Sequence, residues 1–149
     1  MGDILIEGVL LTPLRRIANP KGEVLHAIKR SAPGFVGFGE AYFSTVLPGE
    51  VKGWKRHRRV TLNLVVPVGQ IRFVVHDNRA ASPTRGRFDD VTLGVGNYAR
   101  LTVAPGLWLA FAGRHVEGSL LLNVINEEHD PGETDTIEVG AFKFPWRDT

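Results

Sequence analysis

The hydrophobic residues of this chain fall in short runs, separated by turn residues at intervals of roughly ten positions. Many runs are rich in β-branched and aromatic residues, which is typical of β-strands. We predict strands at about residues 3–17 (one or two short strands), 23–30, 35–46, 60–68, 69–77, 88–93, 99–103 and 118–125, with a further apolar run at 107–112. Residues 94–97 resemble a hairpin turn between two of them. With seventeen glycines and nine prolines, this pattern predicts an all-β sandwich or barrel.

The most unusual stretch of the pattern is polar and leads into the predicted strand 60–68. Six basic or imidazole side chains lie within the eight residues from Lys52 to Arg59. Because side chains of an extended chain alternate between two faces, one face would carry Lys55, His57 and Arg59, and the other Trp54, Arg56 and Arg58. The cluster predicts a site for an anion such as a phosphate or diphosphate. The alternative is an ordinary charged surface.

Composition and charge narrow the possible partners. The 149 residues suit one domain spanning 1–149, and the net charge of +2 favours a small anionic ligand over nucleic acid. There is no cysteine for a disulfide, a thiolate metal site or a thiol nucleophile. We expect a cytoplasmic protein that does not insert in a membrane, because neither a signal-peptide pattern nor an apolar run of about 18 residues is present.

Five short motifs, in order, resemble the dTDP-4-dehydrorhamnose 3,5-epimerases and their short relatives in sugar-nucleotide gene clusters. The motifs are Lys52-Gly-Trp-Lys-Arg-His, Pro67-Val-Gly-Gln70, Asp77-Asn-Arg79, Ser82-Pro-Thr-Arg-Gly86 and Val103-Ala-Pro-Gly106. The resemblance covers about residues 19–131. It implies a cupin-type jelly-roll barrel that forms a homodimer by exchanging N-terminal strands, with a nucleoside-diphosphate sugar in the barrel mouth. By position, Lys52 and Lys21 stand where the family has phosphate-binding arginines.

The catalytic motif departs from that family. The epimerases present Arg-Gly-Leu-His, whose histidine is the base, whereas this chain has Lys55 at the histidine position. The family's tyrosine acid would fall near Leu122, where no tyrosine is present. Related 3,4-ketoisomerases carry His-x-His, of which Lys55-x-His57 keeps only the second histidine.

The remaining groups still permit proton transfer next to a ketone. His57 is the best candidate base, because histidine titrates near neutral pH, and its cationic neighbours are expected to keep the ring neutral. Lys55 is interpreted as a ligand for an anion or carbonyl, with a role as base as the alternative. In the predicted strand 35–46, alternation places Tyr42 and Ser44 on one face and Phe43 and Thr45 on the other. Tyr42 is a candidate replacement acid, or an aromatic core residue. We expect Asn63 and Asn123 to line the same cavity. Lys52, Lys55 and Arg59 are expected to bind the diphosphate, with Lys21 assisting.

No metal or other cofactor is expected. Metal-binding cupins hold the ion through His-x-His, a following Glu and a distant His, and this sequence lacks that set. Two functions remain open. One is an epimerase or isomerase acting on a nucleoside-diphosphate 4-keto-6-deoxyhexose, as in polysaccharide biosynthesis. The other is a non-catalytic cupin that binds a sugar nucleotide or a partner enzyme.

Overall fold

The computed structural model describes residues 4–146, and its regular structure is almost entirely β-strand. The strands are β1 Val9–Pro13, β2 Arg16–Asn19, β3 Gly22–Leu25, β4 Glu40–Val46, β5 Val51–His57, β6 Leu62–Val68, β7 Gln70–His76, β8 Phe88–Gly94, β9 Ala99–Val103, β10 Trp108–Gly113, β11 Ser119–Ile125 and β12 Thr134–Thr136. Short 3-10 helices at Pro131–Glu133 and Val139–Ala141 flank β12. Within residues 4–146, no helix is long and apolar enough to cross a membrane.

Ten strands form two five-stranded antiparallel sheets, and the remaining two form a separate ribbon. The first sheet has the order β1-β9-β6-β11-β4 and the second β12-β5-β10-β7-β8, while the ribbon pairs β2 with β3. The inward side chains of both sheets pack in one core, as with Leu62, Leu64 and Val66 on β6 and Ile71, Phe73 and Val75 on β7. This alternation buries one face of each strand, and the predicted all-β sandwich is confirmed.

Two predicted connections differ in the structure. The basic stretch does not continue into the strand that follows it, because β5 and β6 belong to different sheets and residues 58–61 cross between them. Residues 94–97 do form a turn, closed by two hydrogen bonds between Gly94 and Asn97. That turn is not a hairpin, since β8 pairs with β7 whereas β9 pairs with β1 and β6.

The predicted strand at 23–30 is also shorter than expected, because β3 ends at Leu25 and the chain then runs irregularly to Gly39. A buried polar cluster on the outer side of the first sheet holds this segment. Arg100 donates to the carbonyls of Ala27 and Pro33 at 2.9 and 2.5 Å. These bonds fix the segment that leads into β4 and therefore help to place Tyr42.

The predicted place of Asn63 in the cavity is wrong. Its neighbours Leu62 and Leu64 face inward, so strand alternation turns Asn63 outward. There its Oδ1 accepts hydrogen bonds from Arg100 Nε at 3.0 Å and from the Thr102 hydroxyl at 2.6 Å. Asn63 is therefore part of the cluster that holds the segment before β4.

The C-terminal residues cover the outer face of the second sheet. Trp54 on β5 is fully buried there, and its indole N–H donates to the carbonyl of Val139 at 3.0 Å. Phe142 packs edge-on against Trp54, and His76 stacks on Phe88. Burial lowers the pKa of His76. With this outer face covered, the inner face of β5 is the one left to line a cavity between the sheets.

Candidate functional site

A cavity of about 200 Å³ lies between the two sheets. The first sheet contributes mainly apolar and neutral polar side chains, whereas the second contributes cations and an imidazole. The lining residues are Tyr42, Ser44, Leu62, Leu64, Leu121 and Asn123 from the first sheet, and Lys52, Gly53, Lys55, His57, Leu109 and Phe111 from the second. A ligand in this cavity would therefore have different chemical groups on its two sides.

A β-bulge in β5 brings two lysines to the same wall. Lys55 lies opposite Leu109 of β10, and Lys52 lies opposite Phe111, so two residues of β5 stand against one residue of β10 between these pairs. Strict alternation would place Lys52 on the face opposite to Lys55. The bulge shifts Lys52 by one position, so that both ammonium groups belong to the cavity, with Lys52 Nζ 5.8 Å from the centre of the Phe111 ring.

The predicted faces of β5 hold for the residues within the strand. Lys55 and His57 line the cavity, whereas Trp54 and Arg56 lie on the outer face. The guanidinium of Arg56 lies 4.5 Å from the centre of the Trp108 ring. Arg56 and Arg58 both bind Asp135, at 2.8 and 2.6 Å. Their charges are thus paired on the outer side of the sheet.

His57 has a carboxylate partner that the sequence analysis missed. Its Nδ1 lies 2.5 Å from Oε1 of Glu133, a residue that is only 2% exposed. Because a carboxylate accepts hydrogen bonds, the proton of the neutral ring resides on Nδ1, and Nε2 carries the lone pair. The sequence predicted that cationic neighbours surround the His57 ring and keep it neutral. This prediction is corrected, because the charged group that contacts the ring is the carboxylate of Glu133.

Glu133 is itself held by the backbone between β5 and β6. Its Oε2 accepts from the amides of Arg58, Arg59 and Val60 at 2.9, 2.8 and 3.0 Å. Burial by itself would raise the pKa of Glu133, but the hydrogen bonds from the Arg59 amide, His57 and the Val60 amide outweigh it, and the pKa lies below its ordinary value. The carboxylate therefore stays ionised at neutral pH.

Two predicted diphosphate ligands lie outside the cavity. The side chain of Arg59 is about half exposed and binds Glu127 at 3.0 Å and Asp130 at 3.5 Å. Strand β5 ends at His57, so Arg59 does not follow the alternation that would have turned it inward. Lys21 lies in the exposed turn of the β2–β3 ribbon. Of the predicted diphosphate-binding residues, Lys52 and Lys55 line the cavity of their own chain.

Tyr42 and Asn123 lie side by side on neighbouring strands of the first sheet. They are direct register partners on β4 and β11, and Asn123 Nδ2 donates to the Tyr42 hydroxyl oxygen at 3.1 Å. The predicted orientation of β4 is confirmed, with Tyr42 and Ser44 lining the cavity while Phe43 is exposed. Asn123 is 8% exposed, and its Oδ1 has no hydrogen-bond partner within the described part of the chain.

The functional residues that sequence reasoning missed are Glu133 and Phe111. No local signal links Glu133 to His57, because they are 76 positions apart and meet through the pairing of β12 with β5. Phe111 lay in a recognised apolar run whose inward positions the sequence did not identify. Across residues 4–146, no group of three or more His, Cys, Asp or Glu side chains is arranged to hold a metal ion.

Two five-stranded antiparallel sheets that pack face to face around a cavity are the architecture of a cupin-type jelly roll. Comparison with known proteins agrees with this class. The structure superposes with a TM-score of 0.87 on a dTDP sugar isomerase from Desulfovibrio desulfuricans G20, which is 42% identical, with 93% of this chain and 90% of that chain covered. The chain belongs to the dTDP-4-dehydrorhamnose 3,5-epimerase-like family of cupin-fold sugar-nucleotide epimerases and isomerases, as a divergent member.

Two further proteins extend the comparison. The probable low-salt glycan biosynthesis epimerase Agl13 of Haloferax volcanii is 31% identical over 96 residues, which span 64% of this chain and 62% of that protein. ChmJ, a 3'-monoepimerase from Streptomyces bikiniensis in complex with dTDP-quinovose, has the same fold, with a TM-score of 0.85 and 19% identity over 99% of this chain and 79% of that one. No family model matches the sequence.

Proposed function

We propose that this protein is a sugar-nucleotide epimerase or isomerase that transfers a proton at a carbon next to the ketone of a nucleoside-diphosphate 4-keto-6-deoxyhexose. The observation that carries the proposal is the placement of His57 and Tyr42 on opposite walls of one cavity. A base on one side of a sugar ring and an acid on the other are what inversion at such a carbon requires.

In this reaction His57 acts as the base. Glu133 holds its Nδ1 proton, so Nε2 accepts the proton from the carbon, and the developing imidazolium is stabilised by the carboxylate at 2.5 Å. Electron density moves to the ketone oxygen as an enolate. Lys55 supplies a positive charge on the same wall and stabilises that oxygen. Tyr42 then donates its hydroxyl proton to the opposite face of the carbon.

The substrate class is supported by the charge of the second sheet and by the relatives. Lys52 provides a cation for a diphosphate, and Asn123 Oδ1 is a buried acceptor for a hydroxyl of the sugar. The 42% identical relative is described as a dTDP sugar isomerase, and the ChmJ crystal structure contains dTDP-quinovose. We therefore infer a dTDP-linked sugar as the first ligand to test.

The test is solvent-deuterium exchange into dTDP-4-keto-6-deoxyhexoses, followed by NMR. Wild-type protein is expected to incorporate deuterium next to the ketone. His57→Asn should lower the exchange rate about 10²- to 10⁴-fold, because it removes the base. Lys55→Ala should slow exchange less while it still binds dTDP in calorimetry. Loss of exchange in Lys55→Ala at retained binding, with His57→Asn active, would transfer the role of base to Lys55.

A non-catalytic cupin is the second candidate. It is favoured by Lys55 at the position of the family's histidine base and by the absence of a tyrosine on β11. Such a protein would bind dTDP or a dTDP-sugar with measurable heat but would exchange no proton. Binding without exchange in wild type, across the 4-keto-6-deoxyhexoses, would therefore replace the enzyme by this alternative.

A further inference from the structure

The contact between Asn123 and Tyr42 restricts where the hydroxyl proton of Tyr42 can lie. A phenol hydroxyl has one proton to donate and lone pairs that accept. Asn123 Nδ2 donates to the Tyr42 oxygen at 3.1 Å, so one lone pair is occupied and the proton cannot point at the amide. No other hydrogen-bond partner of the Tyr42 hydroxyl is present among residues 4–146. The proton is therefore free to face the cavity that Tyr42 lines.

We propose that Asn123 is a positioning residue that turns the Tyr42 hydroxyl proton toward the ligand. This inference rests on the proposed function, in which Tyr42 is the acid. The backbone supports the arrangement, because the two residues are direct register partners on neighbouring strands and their separation is fixed by the sheet. Asn123 as a whole residue is only 8% exposed, so little water reaches it to compete with this hydrogen bond.

The other end of the same amide couples this orientation to the ligand. Asn123 Oδ1 is buried without a partner, and a buried acceptor of this kind gains free energy when a donor reaches it. A sugar hydroxyl that donates to Oδ1 fixes the amide with its nitrogen toward Tyr42. A ligand bound in this way therefore holds the tyrosine in its proton-donating orientation.

The proton balance of the step is complete without a further reactant. His57 takes a proton from the carbon, and the C–H bonding electrons form the enolate. Tyr42 O–H protonates the opposite face of that carbon and becomes a phenolate, which water reprotonates, while His57 releases its proton to water. If Tyr42 is misdirected, the enolate can still be reprotonated by His57 on the original face. Exchange with solvent then continues without inversion.

The experiment measures exchange and inversion separately by NMR in D2O, with a dTDP-4-keto-6-deoxyhexose as substrate. Asn123→Leu replaces the amide oxygen and nitrogen by an apolar group of similar size. We expect the rate of inversion to fall about 10- to 100-fold, while solvent exchange catalysed by His57 persists. Tyr42→Phe should show the same separation. Thr45→Ala, an exposed residue of the same strand, serves as the control and should keep the wild-type ratio of inversion to exchange.

Asn123→Asp provides a second variant of nearly identical shape. An ionised carboxylate only accepts hydrogen bonds, so it draws the Tyr42 proton away from the ligand, and inversion should be low at pH 8. As the pH falls and the carboxyl group is protonated, it can donate to Tyr42, and the ratio of inversion to exchange should recover. A purely structural role of Asn123 would not produce this pH profile.

Each outcome decides the inference. If Tyr42→Phe loses inversion but Asn123→Leu and Asn123→Asp retain the wild-type ratio, the positioning role is wrong and the proposed function stands. If wild-type protein exchanges no proton in any 4-keto-6-deoxyhexose that it binds, the proposed function fails and this inference fails with it. Calorimetry with dTDP checks that each variant still forms the cavity.

Discussion

The cations on and after β5 differ in whether a carboxylate neutralises them. Arg56, Arg58 and Arg59 each bind an aspartate or glutamate on the protein surface. Lys52 and Lys55 have no such partner within the described residues and face the cavity instead. An unpaired ammonium group is a better site for a phosphate than a guanidinium that is already bound to two carboxylates. The diphosphate should therefore depend on the lysines.

We predict that Lys52→Ala weakens the binding of dTDP about 10- to 100-fold, which corresponds to the loss of one charge-assisted hydrogen bond. Added salt should weaken wild-type binding as well, because the contact is ionic. Arg59→Ala is the matched control and should change the affinity little. Titration calorimetry measures both, and equal losses in the two variants would mean that the cavity is not where the diphosphate binds.

At the scale of elements, Glu133 joins the 3-10 helix Pro131–Glu133 to the link between β5 and β6. Its carboxylate accepts hydrogen bonds from three backbone amides of that link and from one imidazole N–H. The amide of Arg58 also donates to the Glu133 carbonyl at 3.0 Å, whereas those of Arg59 and Val60 have no other acceptor among residues 4–146. Leaving buried donors unsatisfied is costly. The same residue therefore stabilises the crossing between the sheets and orients His57.

We predict that Glu133→Gln lowers the free energy of unfolding by about 3 kcal/mol at neutral pH, because the neutral amide keeps only one acceptor oxygen and its NH2 group must face either the backbone amides or His57 Nδ1. The pKa of Glu133 is lowered in the folded state. Its contribution is therefore present above the ordinary carboxyl pKa and is lost as the pH falls through the folded pKa. The difference in the free energy of unfolding between wild type and Glu133→Gln should therefore shrink below about pH 4.

Urea unfolding of both proteins at several pH values measures this effect. Glu127→Gln is the control, because that carboxylate is exposed and, among residues 4–146, binds only Arg59; its loss should cost less than about 1 kcal/mol. Equal stability of the Glu133 and Glu127 variants at neutral pH would show that the buried carboxylate does not stabilise the link.

At the scale of the whole molecule, the β2–β3 ribbon stands apart from the two large sheets, although Arg16 of β2 donates to the Val95 carbonyl at 3.3 Å. It pairs with neither five-stranded sheet, and its cross-strand pair Ile17 and Val24 is 38% and 50% exposed. An isolated two-stranded ribbon is marginally stable in water. Strand β4 is an open edge of the first sheet and exposes Phe43. Both features favour the strand-exchanged homodimer expected from the family resemblance.

We predict a homodimer in solution, measured by light scattering as about twice the 16.4 kDa chain mass at micromolar protein. Ile17→Asp combined with Val24→Asp should shift the protein to monomer, because buried carboxylates on the ribbon would be unpaired. Val116→Asp alters an exposed residue away from the ribbon and should leave the dimer intact. A wild-type monomer would contradict the prediction, and would also remove the route by which Lys21 could reach a partner's cavity.

The sequence by itself determined most of the longer strands and most of their faces. Side-chain alternation is a local property of extended backbone, so β-branched runs and their turn residues were enough to predict the all-β fold. For the same reason Tyr42 with Ser44, and Lys55 with His57, share faces as predicted. The ordered motifs from Lys52 to Gly106 also carried the family assignment, which the comparisons confirm.

The tertiary structure decided what each of those faces meets. Asn63 alternates as any strand residue does, but only the packing of residues 26–39 shows that its face is the outer one. Lys52 reaches the cavity through a bulge that depends on the pairing of β5 with β10. Glu133 meets His57 because β12 pairs with β5. Alternation sets the direction of a side chain relative to its neighbours, whereas its partner depends on which distant strands pair, and that is a property of the whole fold.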